Sequence, residues 1–287
     1  MSTPVHTSTM PRGAGFARPA PAEITAPGRS SGGSRSGFAS LLAAEAIKLK
    51  RSSAWVVVIL LPLLAVFAGT FNFYANREVF SQTWESLTSQ MTVFYSMFFC
   101  SLGVALLTST VWRVEHRGTS WNAMRTTPHS PIAVALAKTL VIFVPVLAMQ
   151  VVFMVLAWIS GTFIMGLGPA MPLVFIVADL LAIVGALPLI AMQSLLSMLM
   201  RSFAAPVAVA FVGCVIATGL EASQSPLAYG VPQGILSMTL LLGSSAMSTA
   251  GKLDAASILP LLAAIVGLGA VLWGLLALVA RRTGGVR

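Results

Sequence analysis

Three histidines, two cysteines and eight carboxylates are the residues of this 287-residue chain most able to do acid–base, redox or metal chemistry, and their spacing supports none of it. His6, His116 and His129 include no pair at the i, i+4 spacing that puts two imidazoles on one helix face for a metal ion. Cys100 and Cys214 fall inside apolar runs, which argues against a disulfide or a zinc site. Phosphate chemistry fares no better. After Gly251-Lys252 comes Leu253, where a Ser or Thr would hold magnesium, and Ala246 replaces the first glycine of a P-loop. Gly166 and Gly168 make a partial G-x-G with no third glycine. The expectation is a non-enzymatic chain that binds neither ATP nor a metal itself.

Polar residues inside apolar runs come next. Asp179 is the one acid well inside such a run, and an intramembrane carboxylate marks an ion or proton path by default. A carrier of that kind usually has several buried carboxylates or broken helices around a midplane site. The expectation carried forward is therefore that the helix begins near Phe175 and leaves Asp179 hydrated at the outer interface. Gln150 and Gln193 are expected to hydrogen-bond between helices rather than to bind substrate.

Two polar stretches carry more pattern. In residues 38–51, Phe38, Leu41, Leu42, Ala46 and Leu49 form one apolar stripe, Ser36 is placed to cap, and Lys48, Lys50 and Arg51 gather where the helix dipole favours cations. This predicts a helix lying along a membrane surface, with an ordinary basic flank as the alternative. Residues 113–131 exceed what a minimal loop needs. They predict a two-turn helix capped by Thr119 or Ser120 and stopped at Thr127-Pro128, with Trp121, Met124 and Arg125 on one face. Such a face suits insertion into a partner's groove; the alternative is a Trp anchored at lipid headgroups.

The elements that must position these residues are apolar helices. The chain is 57% hydrophobic and 9% charged, whereas soluble domains carry roughly 25% charged residues. Runs at 54–73, 91–112, 134–160, 171–200, 203–220 and 257–280 are each long enough to cross a bilayer, the fourth with a tilt, a break near Pro188 or a start within the interface. They lack the alternation of barrel strands, so an all-α integral membrane protein is predicted. With an internal amino terminus, fifteen of the seventeen Lys and Arg residues fall on one side and only Arg77 and Lys252 on the other. That split obeys the positive-inside rule and places both termini in the cytoplasm. It also explains the net charge of +9 without a nucleic-acid partner. Residues 1–37 are rich in Ser, Gly, Pro and Ala and are expected to be a disordered cytoplasmic tail, followed by a single six-helix domain over 38–287.

The E-x-x-K-x-K-R before the first run (Glu45, Lys48, Lys50, Arg51), Pro62 within it, then E-x-x-G-T (Glu115, Gly118, Thr119), R-T-x-P (Arg125, Thr126, Pro128) and Lys138 make a sequence that resembles the ABC-2 type permeases. Among them it is most similar to bacterial permeases of lantibiotic-immunity and bacitracin-resistance exporters, over residues 38–280. The resemblance implies a six-helix half of an exporter in the bacterial plasma membrane. It implies a connecting helix carrying Phe38, Leu41, Leu42, Glu45 and Lys48, and a coupling helix with Glu115, Arg117, Gly118, Thr119, Trp121, Met124 and Arg125. Residues 226–242 would be a re-entrant segment, and Tyr95, Phe98, Leu102, Phe211 and Thr218 would line the path. The implied partners are a separate ABC ATPase in two copies, which carries ATP and magnesium, a second permease chain, identical or related, and membrane lipid. An aromatic lining would suit an amphipathic or hydrophobic cargo such as a peptide antibiotic, drug or lipid. A non-transporting membrane scaffold and an ion-coupled carrier remain open as other classes.

Overall fold

Each apolar run becomes helix in the computed structural model, which describes residues 34–116, 129–245 and 251–284. The amino-terminal residues expected to be a disordered tail lie outside these up to residue 33. Among the described residues there are ten α-helices and no strand. Helix α1 (Ser34–Lys50) precedes α2 (Ala54–Ala75). Then α3 (Trp84–Phe94), a π-helical turn (Tyr95–Phe99) and α4 (Cys100–Arg113) form one continuous rod that ends in a 3-10 turn at Val114–His116. Helix α5 (Pro131–Ile159) is extended by a second π-helical turn. Helices α6 (Leu173–Gly185) and α7 (Leu187–Leu199) share the fourth run. Helix α8 (Ala204–Ala222) leads through a 3-10 turn into the short α9 (Pro232–Leu240), and α10 (Ala255–Gly284) closes the chain. Six helical rods of 19 to 34 residues are long and apolar enough to cross a membrane.

Several boundaries differ from the sequence expectation, each for a local reason. Helix α1 starts at Ser34, so Ser36 lies within the helix rather than capping it. Its buried side also differs: Glu45 and Leu49 are buried, whereas Ala46 is exposed. The second rod starts at Trp84, one and a half to two turns before Met91, although Trp84–Gln90 is polar enough to read as loop. Thr83 caps it, its hydroxyl accepting from the Ser86 N–H at 3.3 Å. The Trp84 indole is buried and donates to the carbonyls of Leu167 and Gly168 at 3.1 and 3.2 Å. Those carbonyls come from a turn with Gly166 and Gly168 at φ +67° and +81°, so the partial G-x-G serves a left-handed turn. The fourth run breaks at Ala186, two residues before Pro188, whose ring nitrogen has no proton to continue the ladder.

Helix α2 packs along α3 and α5, α4 against α7 and α8, and α10 against α7. The centre is aromatic: Tyr95 stacks on Phe153 with ring centroids 3.9 Å apart, and Phe153 tilts against Phe175 at 5.7 Å. The Tyr95 hydroxyl donates to Gln150, so this amide does bond between helices. Gln193 does not; neither its oxygen nor its nitrogen has a partner among the described residues. Both cysteines are free and buried. Outward faces carry Phe67, Phe71, Val212, Val266 and their like fully to the surroundings, which suits lipid rather than water.

Asp179 overturns its expectation. The helix begins at Leu173, yet Asp179 points inward and is 1% exposed, and neither carboxylate oxygen has a hydrogen-bond partner among the described residues. Burying such a group unpaired costs about 1–3 kcal/mol. Asp179→Leu is therefore expected to raise the thermal midpoint of the detergent-solubilised protein. A lowered midpoint would show that the carboxyl is held by a partner.

Candidate functional site

Helix α5 opens with the stripe Val134, Ala135, Lys138, Val141 and Ile142, all facing inward at helical spacing. Ser130 caps this helix, accepting from the Ala133 N–H at 3.2 Å, and Pro131 occupies its first turn. A lysine in the middle of an apolar stripe must meet charge or lose its own. Lys138 is fully buried, and its ammonium donates to Glu45 Oε2 at 2.8 Å and Glu115 Oε1 at 2.7 Å. Lys48 completes the group, donating to Glu45 Oε1 at 2.7 Å and reaching Glu115 Oε1 at 3.4 Å. The Lys138 ammonium also lies 5.7 Å from the centre of the Trp112 ring.

Two ammonium and two carboxylate groups thus neutralise one another at the meeting point of three elements. Glu45 and Lys48 belong to α1, Glu115 to the turn that ends the second rod, and Lys138 to α5. The same turn reaches further. His116 Nε2 donates to the Ser197 carbonyl at the end of α7 at 2.7 Å, Ser109 and Ser197 share a hydroxyl contact at 3.3 Å, and the Arg113 guanidinium lies over the Phe203 ring at the start of α8. On the carboxyl-terminal side of residues 117–128, the His129 ring rests against Gly37 of α1. The described residues on both sides of 117–128 therefore meet α1, and those on the amino-terminal side touch α5, α7 and α8 as well.

The electrostatics follow from packing. Burial works to raise the Glu45 carboxyl, but Lys138 and Lys48 outweigh it and hold Glu45 below its ordinary value of 4.5. Partial burial works to lower Lys48, and Glu45 and Glu115 outweigh that and hold it above 10.5. A carboxylate lowered on folding stabilises the fold above its unfolded value and loses that contribution as pH falls through the folded value. A raised lysine contributes below its unfolded value and loses it only as pH rises through the folded one. The contribution of Glu45 to stability is therefore expected to stay level from neutral pH down to 4.5 and to fall below it. Glu45→Gln is expected to flatten that acid limb in a thermal-shift series; an unchanged limb would remove Glu45 from the account.

Of the residues expected to form the coupling helix, the structure describes Glu115, while Arg117, Gly118, Thr119, Trp121, Met124 and Arg125 lie outside the described residues. Of those expected on the connecting helix, Glu45 and Lys48 enter the charge cluster, Leu41 and Leu42 are half-buried and Phe38 is exposed. The residues expected along the path divide. Phe98 and Phe211 stack at 5.7 Å between the second rod and α8, and Leu102 and Thr218 are half-buried on the same two rods. Tyr95 is fully buried within the chain and lines no open face, because the π-helical turn that it opens directs it into the core. Among the described residues no group of three His, Cys, Asp or Glu side chains is placed to hold a metal ion. Sequence reasoning missed the pairing of Lys138 with Glu45 and Glu115. The available signal was an acid among the basic residues flanking each of the first two apolar runs and a lysine entering the third.

A family model described as ABC-2 family transporter protein matches residues 41–217, a segment that contains all four charged residues of the junction. No curated protein and no solved structure matches the chain. The six apolar rods and the matched segment agree: the chain belongs to the ABC-2 family of transporter proteins.

Proposed function

We propose that this ABC-2 permease subunit exports an amphipathic or hydrophobic cargo, powered by a separate ATPase that grips the loop between the second and third spans. The observation that carries the reading is the buried Lys138–Glu45–Glu115 junction. It ties both ends of one loop to the connecting helix and, through the second rod, to most of the bundle. Its groups neutralise one another and offer no reactive atom, so it suits force transmission rather than chemistry. Nucleotide-driven displacement of the loop would shift α1, the second rod and α5 together, moving the bundle between two packed arrangements.

The basic residues support a bacterial plasma-membrane topology with the junction and both termini cytoplasmic, since fifteen of seventeen then face the anionic inner leaflet. ATP and magnesium would sit on two copies of the ATPase. A second permease chain, identical or related, would close the path against the Phe98–Phe211 face, where Phe211 is half exposed. That aromatic face suits greasy cargo, in keeping with the resemblance to lantibiotic-immunity and bacitracin-resistance permeases. Affinity purification of the tagged full chain from its native membranes, followed by hydrolysis assays, tests the reading. An ABC ATPase is expected to co-purify, and Trp121→Ala to weaken its retention. A stable chain that transports cargo with no ATPase present would overturn it.

A further inference from the structure

At the end of the bundle away from the charge junction, α8, the Pro226–Gly230 turn, α9 and the start of α10 enclose a cavity of about 510 Å³. That is within the size range of sites for small organic molecules, roughly 300–1,000 Å³. Its rim is exposed at Gln224, Pro226 and Ala256, and Ala228, Leu242 and Leu261 are buried in its wall. Gln224 holds a left-handed backbone, φ +54°, at the turn that shapes the rim.

Among the described residues one charged side chain lines this cavity, and it is an acid. Glu221, in the last turn of α8, is 8% exposed. From outside the cavity lining, Ser237 of α9 donates to its Oε2 at 3.0 Å. Its Oε1 is buried and has no hydrogen-bond partner among the described residues. The carboxyl-terminal end of α8 adds the negative pole of a 19-residue helix to the same place. The positive pole of α10 also borders the cavity, but Asp254 caps it, accepting from the Ser257 N–H at 2.9 Å. That bond holds the Asp254 carboxyl below its ordinary range, so the cap stays charged. Lys252 is exposed, acts on Asp254 and does not line the cavity. The remaining wall is mixed, with Gln224, Ser225 and Ser257 beside the Tyr229 ring, Met238, Leu241 and Leu261.

A buried carboxylate with one donorless oxygen, beside a cavity whose described lining holds an apolar patch of Tyr229, Met238, Leu241 and Leu261 and no cation, calls for a cationic donor attached to an apolar body. We propose that this cavity binds a primary ammonium group carried on an apolar chain, with the Glu221 carboxylate accepting from the ammonium and Tyr229, Met238 and Leu261 covering the chain. The chemistry is shared by the headgroup of phosphatidylethanolamine and by free amphipathic amines. The site stands on the cavity and its acid, not on the partner ATPase, so binding persists in the purified chain alone.

Native mass spectrometry of the full chain in detergent tests this, with dodecylamine, its neutral analogue dodecanol, and an equimolar mixture of phosphatidylethanolamine, phosphatidylcholine and phosphatidylglycerol as probes. The wild type is expected to retain dodecylamine over dodecanol. Loss of one charge-assisted hydrogen bond in Glu221→Gln is expected to weaken amine binding about ten- to a hundredfold and to leave dodecanol unchanged. Ala256→Phe, on the exposed first turn of α10, fills the rim without touching the acid and is expected to abolish retention of both. Selective, Glu221-dependent retention of phosphatidylethanolamine from the lipid mixture identifies the headgroup as the source. Retention of dodecylamine without that lipid selectivity identifies a free amphipathic amine. Equal binding of dodecylamine and dodecanol by the wild type, unchanged amine binding in Glu221→Gln, or retention of neither amine nor phosphatidylethanolamine would overturn the proposal.

Discussion

Lys138→Met is expected to destabilise the protein by about 3–5 kcal/mol, because it leaves Glu45 and Glu115 buried with only a half-exposed Lys48 to neutralise both. The loss should appear as a steep drop in thermal midpoint and in the yield of monodisperse protein after extraction. The ion cluster itself, however, is not a large net source of stability, since taking four charges out of water offsets most of their mutual attraction. Replacing Glu45 and Glu115 by Gln together with Lys138 by Met removes the buried charges as a set. That triple variant is expected to be markedly more stable than Lys138→Met alone, a non-additivity that only groups acting on one another produce. Equal destabilisation by the single and the triple variants would mean that Lys138 matters through packing and not through its charge.

The second large effect is expected at Gly69. Helices α2 and α3 come close together at Gly69, which faces the backbone of Met91. A Cβ built on Gly69 would overlap the backbone N and Cα of Met91. Backbone cannot move aside as a side chain can, so Gly69→Leu must force the two helices apart. Overpacking of this kind costs typically about 1–3 kcal/mol, and more where backbone is the obstacle. In a membrane the contact is worth more than its area, because lipid tails are as apolar as leucine and close packing is what holds neighbouring helices together. Gly103→Ala is the matching control. Its Cβ would meet the end of the Met149 side chain, which is flexible and can turn away. Gly69→Leu is expected to lose folded protein in a size-exclusion assay while Gly103→Ala retains it. Similar losses from both would show that the α2–α3 contact is not tighter than the rest of the bundle.

Much of this architecture is legible in the sequence because the bilayer imposes lengths. Runs of Leu, Val, Ala and Phe must be helical to satisfy their backbones in lipid, and Pro188 marks the break in the fourth run. The start of the second rod is hidden because Trp84–Gln90 is amphipathic and polar, and what makes it helix is a tertiary contact, the Trp84 indole on the Leu167 and Gly168 carbonyls. Asp179 is misread for a related reason. A helix start near Phe175 would leave it within a turn of the interface, but which way a helix faces is decided by its neighbours, and α6 turns this residue inward. Ala46 and Glu45 exchange places on α1 because an amphipathic stripe assumes that the acid faces water, whereas Lys138 draws Glu45 inward. Each charge of the junction is visible near the edge of an apolar run, but their convergence from positions 45, 115 and 138 is a property of the fold alone.

The junction is the centre of the account, and it is tested by ATP hydrolysis in the reconstituted complex of permease and ATPase. Wild type is compared there with the triple variant carrying Glu45→Gln, Glu115→Gln and Lys138→Met. The assembled complex is expected to form in both, because the cluster is neutral as a whole and faces the bundle. Cargo-stimulated hydrolysis is expected in the wild type and to be lost in the triple variant, with basal hydrolysis retained. Undiminished stimulation in a triple variant that still assembles would contradict the claim that this buried cluster links the loop to the bundle.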